Sequence, residues 1–148
     1  MTGVSDIGMP ATVTFRLGTL GALVTERFTA RLADLDLKPK HVGVLTALAA
    51  GPPASQQELA GLMGVAPSLL VALADHLEAI GAIARTRDAG DRRRMVLTLT
   101  ARGRKLLAKC GALAQEFDAE LTGSLTADQR GQLSDLLGVL AAENGLPT

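Results

Sequence analysis

Apolar residues recur at intervals of three and four positions over most of the chain, and this spacing predicts a protein built mainly of amphipathic helices. A first helix is predicted from about Pro10 to Leu35. Its apolar positions are Val13, Leu17, Leu20, Val24, Phe28 and Leu32. Pro39 suits the first turn of a second helix that runs to Ala50. Residues 1–9 lack the spacing and are predicted to form a loose tail.

Two shorter helices are predicted next. Ser55 and Glu58 form the capping-box pattern at the start of a helix over Gln56–Met63. Residues 64–67 turn the chain, and Pro67 opens a fourth helix that ends near Gly81. A short capped helix, a turn with glycine and a second helix predict a helix-turn-helix over residues 55–80. Its second helix turns Leu70, Leu73, Leu77 and Ile80 inward and presents Ser68, Leu69, Ala72 and His76 to a groove.

The remaining pattern predicts a β-hairpin and two more helices. The strands are Ala82–Arg87 and Arg93–Leu99, joined by a charged turn over Asp88–Asp91. Thr100 can cap a long helix that contains Leu106, Leu107, Leu113, Phe117 and Leu121. Gly123 and Ser124 interrupt it, and a second capping-box pattern at Thr126 and Gln129 starts the last helix. The apolar residues of that helix are Leu133, Leu136, Leu137 and Leu140.

The hairpin region concentrates positive charge in a chain that is neutral overall. Residues 85–105 contain seven Arg, one Lys and two Asp, a net +6, whereas the whole chain has 15 basic and 15 acidic residues. Such a patch suits a polyanion. Charge alone leaves the alternative of a solvated, salt-bridged hairpin. The position directly after a helix-turn-helix favours a winged helix, whose helix fits the major groove while its arginines reach phosphates and the minor groove.

Composition and motifs narrow the class of protein. The chain has 148 residues, 47% of them hydrophobic, and a mean hydropathy of +0.25. The length fits one domain, or one compact domain plus an oligomerisation element, and a buried subunit interface is the simplest explanation of the high apolar fraction. No apolar run reaches the ~18 residues of a membrane span, no signal peptide is evident, and the single Cys110 is compatible with a reducing cytosol. We therefore expect a cytoplasmic oligomer that does not associate with membranes.

Enzymatic chemistry is not expected. The sequence contains no spacing of a nucleophile and a base, no glycine-rich phosphate loop and no metal signature, so we expect no cofactor. His41, His76 and Cys110 belong to different predicted elements, which disfavours a metal site. Cys110 lies on or near an apolar helix face and is predicted to be a buried, inert thiol.

The chain resembles the MarR family of bacterial transcription regulators. The resemblance rests on Leu59-Ala60, on residues 75–81 and, most specifically, on Asp91-Arg92-Arg93 followed by residues 97–103. That last part is similar to the family's wing signature. The signature consists of an acidic residue, an Arg two positions later, and a strand that ends in Leu-Thr before a Gly. Residues 37–45 resemble the family's second-helix entry, and the whole resemblance spans about residues 13–142.

The resemblance implies a mainly α fold with a small β-hairpin wing. Residues 10–35 and 104–145 would form a helical dimerisation region, and residues 36–103 a winged helix-turn-helix that binds DNA. A homodimer would bind a pseudo-palindromic double-stranded operator, usually as a repressor. Arg93 would enter the minor groove with Asp91 bracing it. The candidates for phosphate contact are Arg85, Arg87, Arg92 and Arg94.

The predicted recognition helix departs from the family pattern because it is mainly apolar. Leu69 or Val71 could touch a thymine methyl, but no Arg is present for bidentate contact with guanine. Ala66 also replaces the usual polar N-cap. We therefore expect weak or shape-dependent discrimination between sequences. The alternative function is a dimeric ligand-binding or protein-interaction module with the same fold and little specific DNA binding.

The resemblance also implies release from DNA by a small ligand, often phenolic or a carboxylate, bound between the dimerisation helices and the winged helix. Arg16 and His41 are the candidate ligand-binding residues. A guanidinium at Arg16 could pair with a ligand carboxylate. The alternatives are a surface or intersubunit salt bridge for Arg16 and a partly exposed position at a helix start for His41.

Overall fold

A computed structural model describes residues 8–148. Residues 1–7 of the predicted tail therefore lie outside the described residues. The elements in chain order are α1 (Val13–Leu32), α2 (Pro39–Ala50), α3 (Gln56–Met63), α4 (Pro67–Ala79), β1 (Ile83–Arg87), β2 (Met95–Leu99), α5 (Ala101–Leu121) and α6 (Ala127–Glu143). Short 3₁₀ turns precede and follow α1, at Met9–Ala11 and Ala33–Leu35. The mainly α fold with one hairpin is therefore confirmed.

The chain forms two compact units. The first extends to Leu113 and contains the helix-turn-helix, the hairpin and the first half of α5; the second is Ala114–Thr148. The assignment of residues 10–35 and 104–145 to dimerisation and of residues 36–103 to DNA binding is a functional division, and it stays a prediction.

The core of the first unit is built from aliphatic side chains. Those with almost no exposed surface are Leu32, Val44, Leu45, Leu59, Leu70, Leu77 and Leu97. They come from α1, α2, α3, α4 and β2, so one cluster joins the helix-turn-helix to the hairpin and to the end of α1. Small branched side chains allow close helix packing in a chain with three Phe and neither Tyr nor Trp.

The turn between α3 and α4 gives the helix-turn-helix its angle. Gly64 adopts the left-handed conformation with φ of 63°, which glycine tolerates at little cost, and the axes of α3 and α4 differ by 114°. The Ser55 hydroxyl accepts a hydrogen bond from the Glu58 N–H at 3.2 Å. The reciprocal half of the predicted capping box is replaced, because the Glu58 carboxylate pairs with Arg94 instead.

The hairpin is antiparallel, with Ile83 opposite Leu99 at one end and Arg87 opposite Met95 at the other. Both strands begin later than predicted, at Ile83 and Met95, because Asp91–Arg94 forms part of the turn: the Arg94 N–H donates to the Asp91 carbonyl at 3.0 Å. An unpredicted bridge adds Ala54 beside Leu97, whose N–H donates to the Ala54 carbonyl at 2.8 Å. The segment before α3 is thereby fastened to the wing.

The Leu-Thr-x-x-Gly run forms the junction between the hairpin and α5. The Thr100 hydroxyl accepts from the Gly103 N–H at 3.0 Å and donates to the Gly81 carbonyl at 2.6 Å. A side chain at Gly103 would overlap the carbonyl of Ala82, so this close approach requires glycine. The junction holds the base of the hairpin against the start of α5, and the predicted cap at Thr100 is confirmed.

In the second unit, Thr126 and Gln129 form both bonds of the predicted capping box, at 3.2 and 2.9 Å. The apolar side chains of α6 are largely exposed in the single chain, as are those in the first half of α1. They are Val13, Phe15, Leu17 and Leu20 of α1, and Leu133, Leu136, Leu137, Val139 and Leu140 of α6. Among residues 8–148, no helix alone could cross a membrane; α3 and α4 meet the length and hydropathy test only as a bent pair.

Candidate nucleic-acid interface

The tip of the hairpin is a turn shaped by two aspartates. The Asp88 carboxylate accepts from the Gly90 N–H and the Asp91 carboxylate from the Arg93 N–H, both at 3.0 Å. Such bonds from an Asp side chain to the backbone two positions later stabilise a tight turn. Asp91 therefore braces the backbone at Arg93 and leaves the Arg93 guanidinium unengaged.

Arg92 and Arg93 are the wing-tip arginines. Both are exposed, and neither side chain has a hydrogen bond or ion pair with any residue that the structure describes. Arg87 lies next to them on β1, also exposed, and its Nη1 donates to the Arg92 carbonyl at 2.8 Å. Cationic side chains held at a defined turn without an internal partner can bind an external anion without first breaking an ion pair.

Arg85 and Arg94 form a second group, the bracing arginines. Arg85 Nη2 lies 2.6 Å from Asp75 Oδ1 and 2.9 Å from Gln56 Oε1, while its Nη1 lies 2.8 Å from Glu78 Oε1. Burial opposes the charged form of Arg85, but the hydrogen bonds to Asp75 and Glu78 outweigh it and raise the pKa. Arg85 therefore links β1 to α3 and α4.

Arg94 connects the other strand to α3. Its Nη2 is paired with the Glu58 carboxylate, and its Nε lies 3.8 Å from Asp88 Oδ2. The side chain is half-buried between these partners. The structure thus engages Arg85 and Arg94, both predicted to contact phosphate, in ion pairs within the chain. Sequence reasoning missed this because three of the four carboxylates, Glu58, Asp75 and Glu78, come from helices that precede the hairpin.

The recognition helix α4 presents a small, mostly apolar outer face. Ser68, Leu69 and Ala72 are exposed as predicted, and Leu70 on the opposite face has no exposed surface. As predicted for Ala66, no side chain caps the start of α4.

His76, predicted to face a groove with Ser68, is 30% exposed and has contacts within the first unit. Its Nε2 is 2.7 Å from the Asp36 carbonyl oxygen, and its ring centroid is 4.6 Å from that of His41. Asp36 adopts a left-handed conformation with φ of 56°, which folds the segment before α2 onto α4. These contacts engage one edge of the partly exposed His76 ring, whereas Ser68 is exposed.

His41 is only 8% exposed, so it is more buried than the partly exposed position at a helix start that was the alternative for this residue. Its Nδ1 accepts from the Lys38 N–H at 2.9 Å and so caps α2. This bond requires an unprotonated Nδ1. Burial lowers the pKa of His41, and the nearby His76 and Lys38 lower it further, against a smaller opposing effect of Asp36.

His41 also lines the α1–α4 hollow, a space of 440 Å³ bordered by α1, α2 and α4. Its lining residues are Thr25, Thr29, Lys38, Pro39, Lys40, His41, Leu69, Ala72 and Leu73. Arg16 is not among them; its side chain is exposed and its Nε donates to the Pro10 carbonyl at 3.2 Å. The structure therefore separates the two candidate ligand-binding residues.

Residues 8–148 contain no cluster of three His, Cys, Asp or Glu side chains placed to hold a metal ion. Cys110 is buried in the core as predicted, and burial raises the pKa of its thiol. A raised thiol pKa reduces the thiolate fraction and with it the reactivity.

A helix-turn-helix followed by a hairpin with unpaired arginines at its tip defines a winged helix-turn-helix DNA-binding protein. Residues 35–94 match the model of the MarR family. The chain is 31% identical to the HTH-type transcriptional repressor Rv2887 of Mycobacterium tuberculosis over 129 residues, 87% of this chain and 93% of the relative. The chain belongs to the MarR family and is a DNA-binding regulator of that type.

Two solved structures show the same fold with different partners. The transcriptional repressor CouR bound to a 23-mer DNA duplex is 33% identical, with a TM-score of 0.75 over 92% of this chain and 97% of that one. CouR from Rhodococcus jostii RHA1 bound to p-coumaroyl-CoA is 25% identical, with a TM-score of 0.72 over 95% of this chain and 96% of that one. Proteins similar to this chain thus bind DNA and a small molecule.

Proposed function

We propose that this protein is a homodimeric cytoplasmic repressor that binds a pseudo-palindromic operator and is released by a small anionic ligand. The observation that carries the DNA-binding part is the pair of wing-tip arginines, exposed and unpaired on a turn that Asp91 braces. Arg93 would enter the minor groove, whose narrow regions attract guanidinium groups. Arg92 and Arg87 would bind the flanking phosphates.

The recognition helix would lie in the major groove. Ser68 at its exposed start can donate to a base edge or a phosphate, while Leu69 and Ala72 can contact thymine methyl groups. Because no cation projects from this face, we infer that the wing supplies much of the affinity. His76 takes no part, since its ring is held by Asp36 and His41.

The dimer is inferred from apolar surface. The exposed apolar side chains of α1 and α6 include Leu17 at 44%, Leu20 at 49% and Leu136 at 64% exposure. Exposed apolar helix faces of this kind are typical of subunit interfaces. Two copies would place their recognition helices in successive major grooves, ~34–36 Å apart.

The α1–α4 hollow is the proposed effector site. Lys38 and Lys40 supply positive charge beside an apolar lining, which suits an aromatic or aliphatic anion. Leu69 and Ala72 belong both to this lining and to the outer face of α4, so a ligand here would press on the side chains proposed to face DNA. Such a ligand shifts the protein away from DNA only if it binds the DNA-bound form less tightly.

Fluorescence anisotropy with a duplex from the promoter region of its own gene tests the DNA-binding proposal. Binding should exceed that of a scrambled duplex of equal composition. If about six phosphates are neutralised per dimer, affinity should fall ~10³-fold between about 50 and 200 mM salt. Equal binding to both duplexes at physiological salt would favour the alternative, a ligand-binding module that keeps the fold.

The effector site is tested by a thermal-shift screen of aromatic acids. We expect stabilisation of the wild type that weakens in Lys40→Gln, whereas Arg16→Ala, which changes a cation outside the hollow, should respond like the wild type. Equal stabilisation of all three proteins would remove the α1–α4 hollow from the proposal.

A further inference from the structure

The first half of α4 carries small side chains in the middle of its outer face and larger aliphatic ones on both flanks. Ser68 and Ala72 are exposed and stand four positions apart, so they share one line along the helix. Leu69 is 36% exposed on one side of that line, and Val71 is 38% exposed on the other. The small residues let the helix backbone approach a surface closely, and the two flanking side chains then reach that surface.

This face carries almost no group that could identify a base through hydrogen bonds. α4 contains no Arg, Lys, Asn or Gln, the residue types that bind guanine or adenine through paired hydrogen bonds. The Ser68 hydroxyl can both donate and accept, so it can bond to any base edge and distinguishes bases poorly. Hydrogen bonds from the first half of α4 therefore cannot separate the four base pairs.

The polar side chains in the second half of α4 are engaged within the chain. Asp75 and Glu78 could accept from the amino group of cytosine. However, Arg85 Nη2 lies 2.6 Å from Asp75 Oδ1, and its Nη1 lies 2.8 Å from Glu78 Oε1. His76 Nε2 lies 2.7 Å from the carbonyl oxygen of Asp36. Arg85 also compensates part of the negative charge that would repel phosphates, so α4 can approach DNA through its aliphatic groups.

Thymine is the base that an aliphatic face can select. Its C5-methyl is the one methyl group on the base edges of the major groove. Covering that methyl with Leu69 or Val71 removes apolar surface from water, which corresponds to about fourfold in affinity per methyl. The same side chain over a C·G pair would cover the cytosine amino group and supply no acceptor, which is unfavourable. The flanks of α4 therefore favour thymine and disfavour cytosine.

We propose that Leu69 and Val71 are specificity-determining residues that select the operator by the methyl groups of thymines in the major groove. This inference rests on the proposed binding of DNA by α4 and deepens it. It identifies the operator as one whose half-sites place a thymine under each flank of α4. Selection at these positions comes from methyl groups, while the wing supplies affinity through phosphates and the minor groove.

Deoxyuridine lacks only the methyl group of thymine, so duplexes that contain it test the inference. The full-length protein is titrated by fluorescence anisotropy with the promoter duplex and with copies in which single thymines are replaced. We expect a loss of about fourfold at each contacted thymine. Replacing the symmetry-related pair should cost about 16-fold, because each copy of the dimer meets one half-site. Thymines outside the contacted positions should tolerate replacement without loss.

Cytosine and 5-methylcytosine separate the methyl group from the rest of the base pair. At a contacted position, a C·G pair should bind most weakly. Methylation of that cytosine should recover about fourfold, the same factor that separates uracil from thymine. Equal gains on the two base pairs would support recognition of the methyl group itself.

Leu69→Ala and Val71→Ala test which side chain meets which methyl. Each variant should bind the promoter duplex about 16-fold more weakly, the same loss as symmetric replacement by uracil. In each variant the uracil penalty should disappear at one thymine per half-site and persist at the other. Val71 is the cleaner probe, because Leu69 also lines the α1–α4 hollow and Val71 does not.

Ser68→Ala is the matched control on the same face. It removes a hydroxyl group whose bonds do not depend on the thymine methyl, so it should weaken the thymine and uracil duplexes by the same factor. Both aliphatic positions are partly exposed, and we expect their variants to fold. Should either fail to fold, the uracil and methylcytosine series with the wild type decide by themselves.

Three results would overturn the inference. They are an affinity within twofold of the original when every thymine is replaced by uracil, no gain from methylation of cytosine, and uracil penalties that persist in full in both aliphatic variants. The third would assign the effect of the methyl groups to the shape of the DNA. The proposed function fails differently, through equal binding of the promoter and scrambled duplexes. A promoter preference that is insensitive to uracil would remove methyl recognition and leave the repressor proposal in place.

Discussion

The wing-tip arginines and the bracing arginines lie within ten positions of one another, yet their surroundings differ completely. Arg92 and Arg93 are exposed on a turn and have no side-chain partner among residues 8–148. Arg85 and Arg94 are bound to carboxylates of α3, α4 and the hairpin turn. The same residue type therefore serves as an outward cation in one place and as a connector in the other.

This difference shows that the charge of a sequence window overstates the charge available to a ligand. Residues 85–105 sum to +6, but Asp75, Glu78 and Glu58, all outside that window, neutralise part of it. The pairing also orients the wing, because Arg85 joins β1 to the recognition helix. The wing-tip arginines would then supply the affinity for DNA, and the bracing arginines would fix the direction in which the wing points.

The largest effect is expected at the wing tip. Arg93→Ala should weaken binding to the promoter duplex at least ~100-fold, because two guanidinium groups per dimer lose minor-groove contacts of about 1–3 kcal/mol each. The free energy of unfolding should change by less than about 0.5 kcal/mol. Anisotropy at constant salt and urea denaturation measure the two quantities.

Arg104→Ala is the matched control for Arg93→Ala, since it removes the same charge from an exposed position outside the wing. Its DNA affinity should stay within a few-fold of wild type. If both variants lost the same DNA affinity, only the overall charge of the protein would matter. The wing-tip arginines would then have no special role in DNA binding.

Arg85→Ala should show the opposite pattern. The change removes a guanidinium group that donates hydrogen bonds to Asp75, Glu78 and Gln56. We expect the free energy of unfolding to fall by about 1–2 kcal/mol, because these partners are half-exposed. Arg85→Lys should restore little of it, because an ammonium group cannot match the planar fork. A large loss of DNA affinity in a fully stable Arg85→Ala protein would make Arg85 a direct DNA contact.

A smaller effect is expected for the Arg94–Glu58 pair. The two side chains are 38% and 51% exposed, so a double-mutant cycle with Arg94→Ala and Glu58→Ala should give a coupling of about 0.5 kcal/mol. The coupling should shrink in high salt. Zero coupling at low salt would remove Arg94 from the bracing group.

The smallest effect concerns His41, another polar side chain turned inward. Its pKa is lowered in the folded state, so the unfolded chain binds more protons as the pH drops below about 6.5. The His41 contribution to stability is therefore complete above that pH and is lost as the pH falls through the folded-state pKa.

His41→Gln is the informative variant, because Gln at this position can still accept from the Lys38 N–H. Urea denaturation between about pH 7.5 and 5 should show a shallower loss of stability for the variant than for the wild type. Parallel curves would show that His41 titrates as in the unfolded chain.

Much of the fold could be predicted because it follows from local signals. The bounds Pro39–Ala50 and Gln56–Met63 are confirmed, since proline, a capping serine and glycine mark them in the sequence itself. The wing-tip turn was predictable for the same reason. The bridge at Ala54 was not, because it depends on a partner strand 43 positions later, Leu97.

The site was predictable only in part. Spacing along α4 placed His76 with Ser68, but it could not reveal that Asp36 folds back onto the helix and holds the ring. Spacing along the hairpin grouped Arg85 with Arg93, and the carboxylates that separate them come from α4. In both cases the partner of the side chain is distant in sequence.

The sequence by itself determined the order of helices and strands, the family and the position of the wing tip, because periodicity, caps and turn residues act over a few positions. Only the tertiary structure decided which cations remain available. The partner of a charged side chain is set by how helices pack, and packing brings Asp75 to Arg85 while leaving Arg93 with none among the described residues.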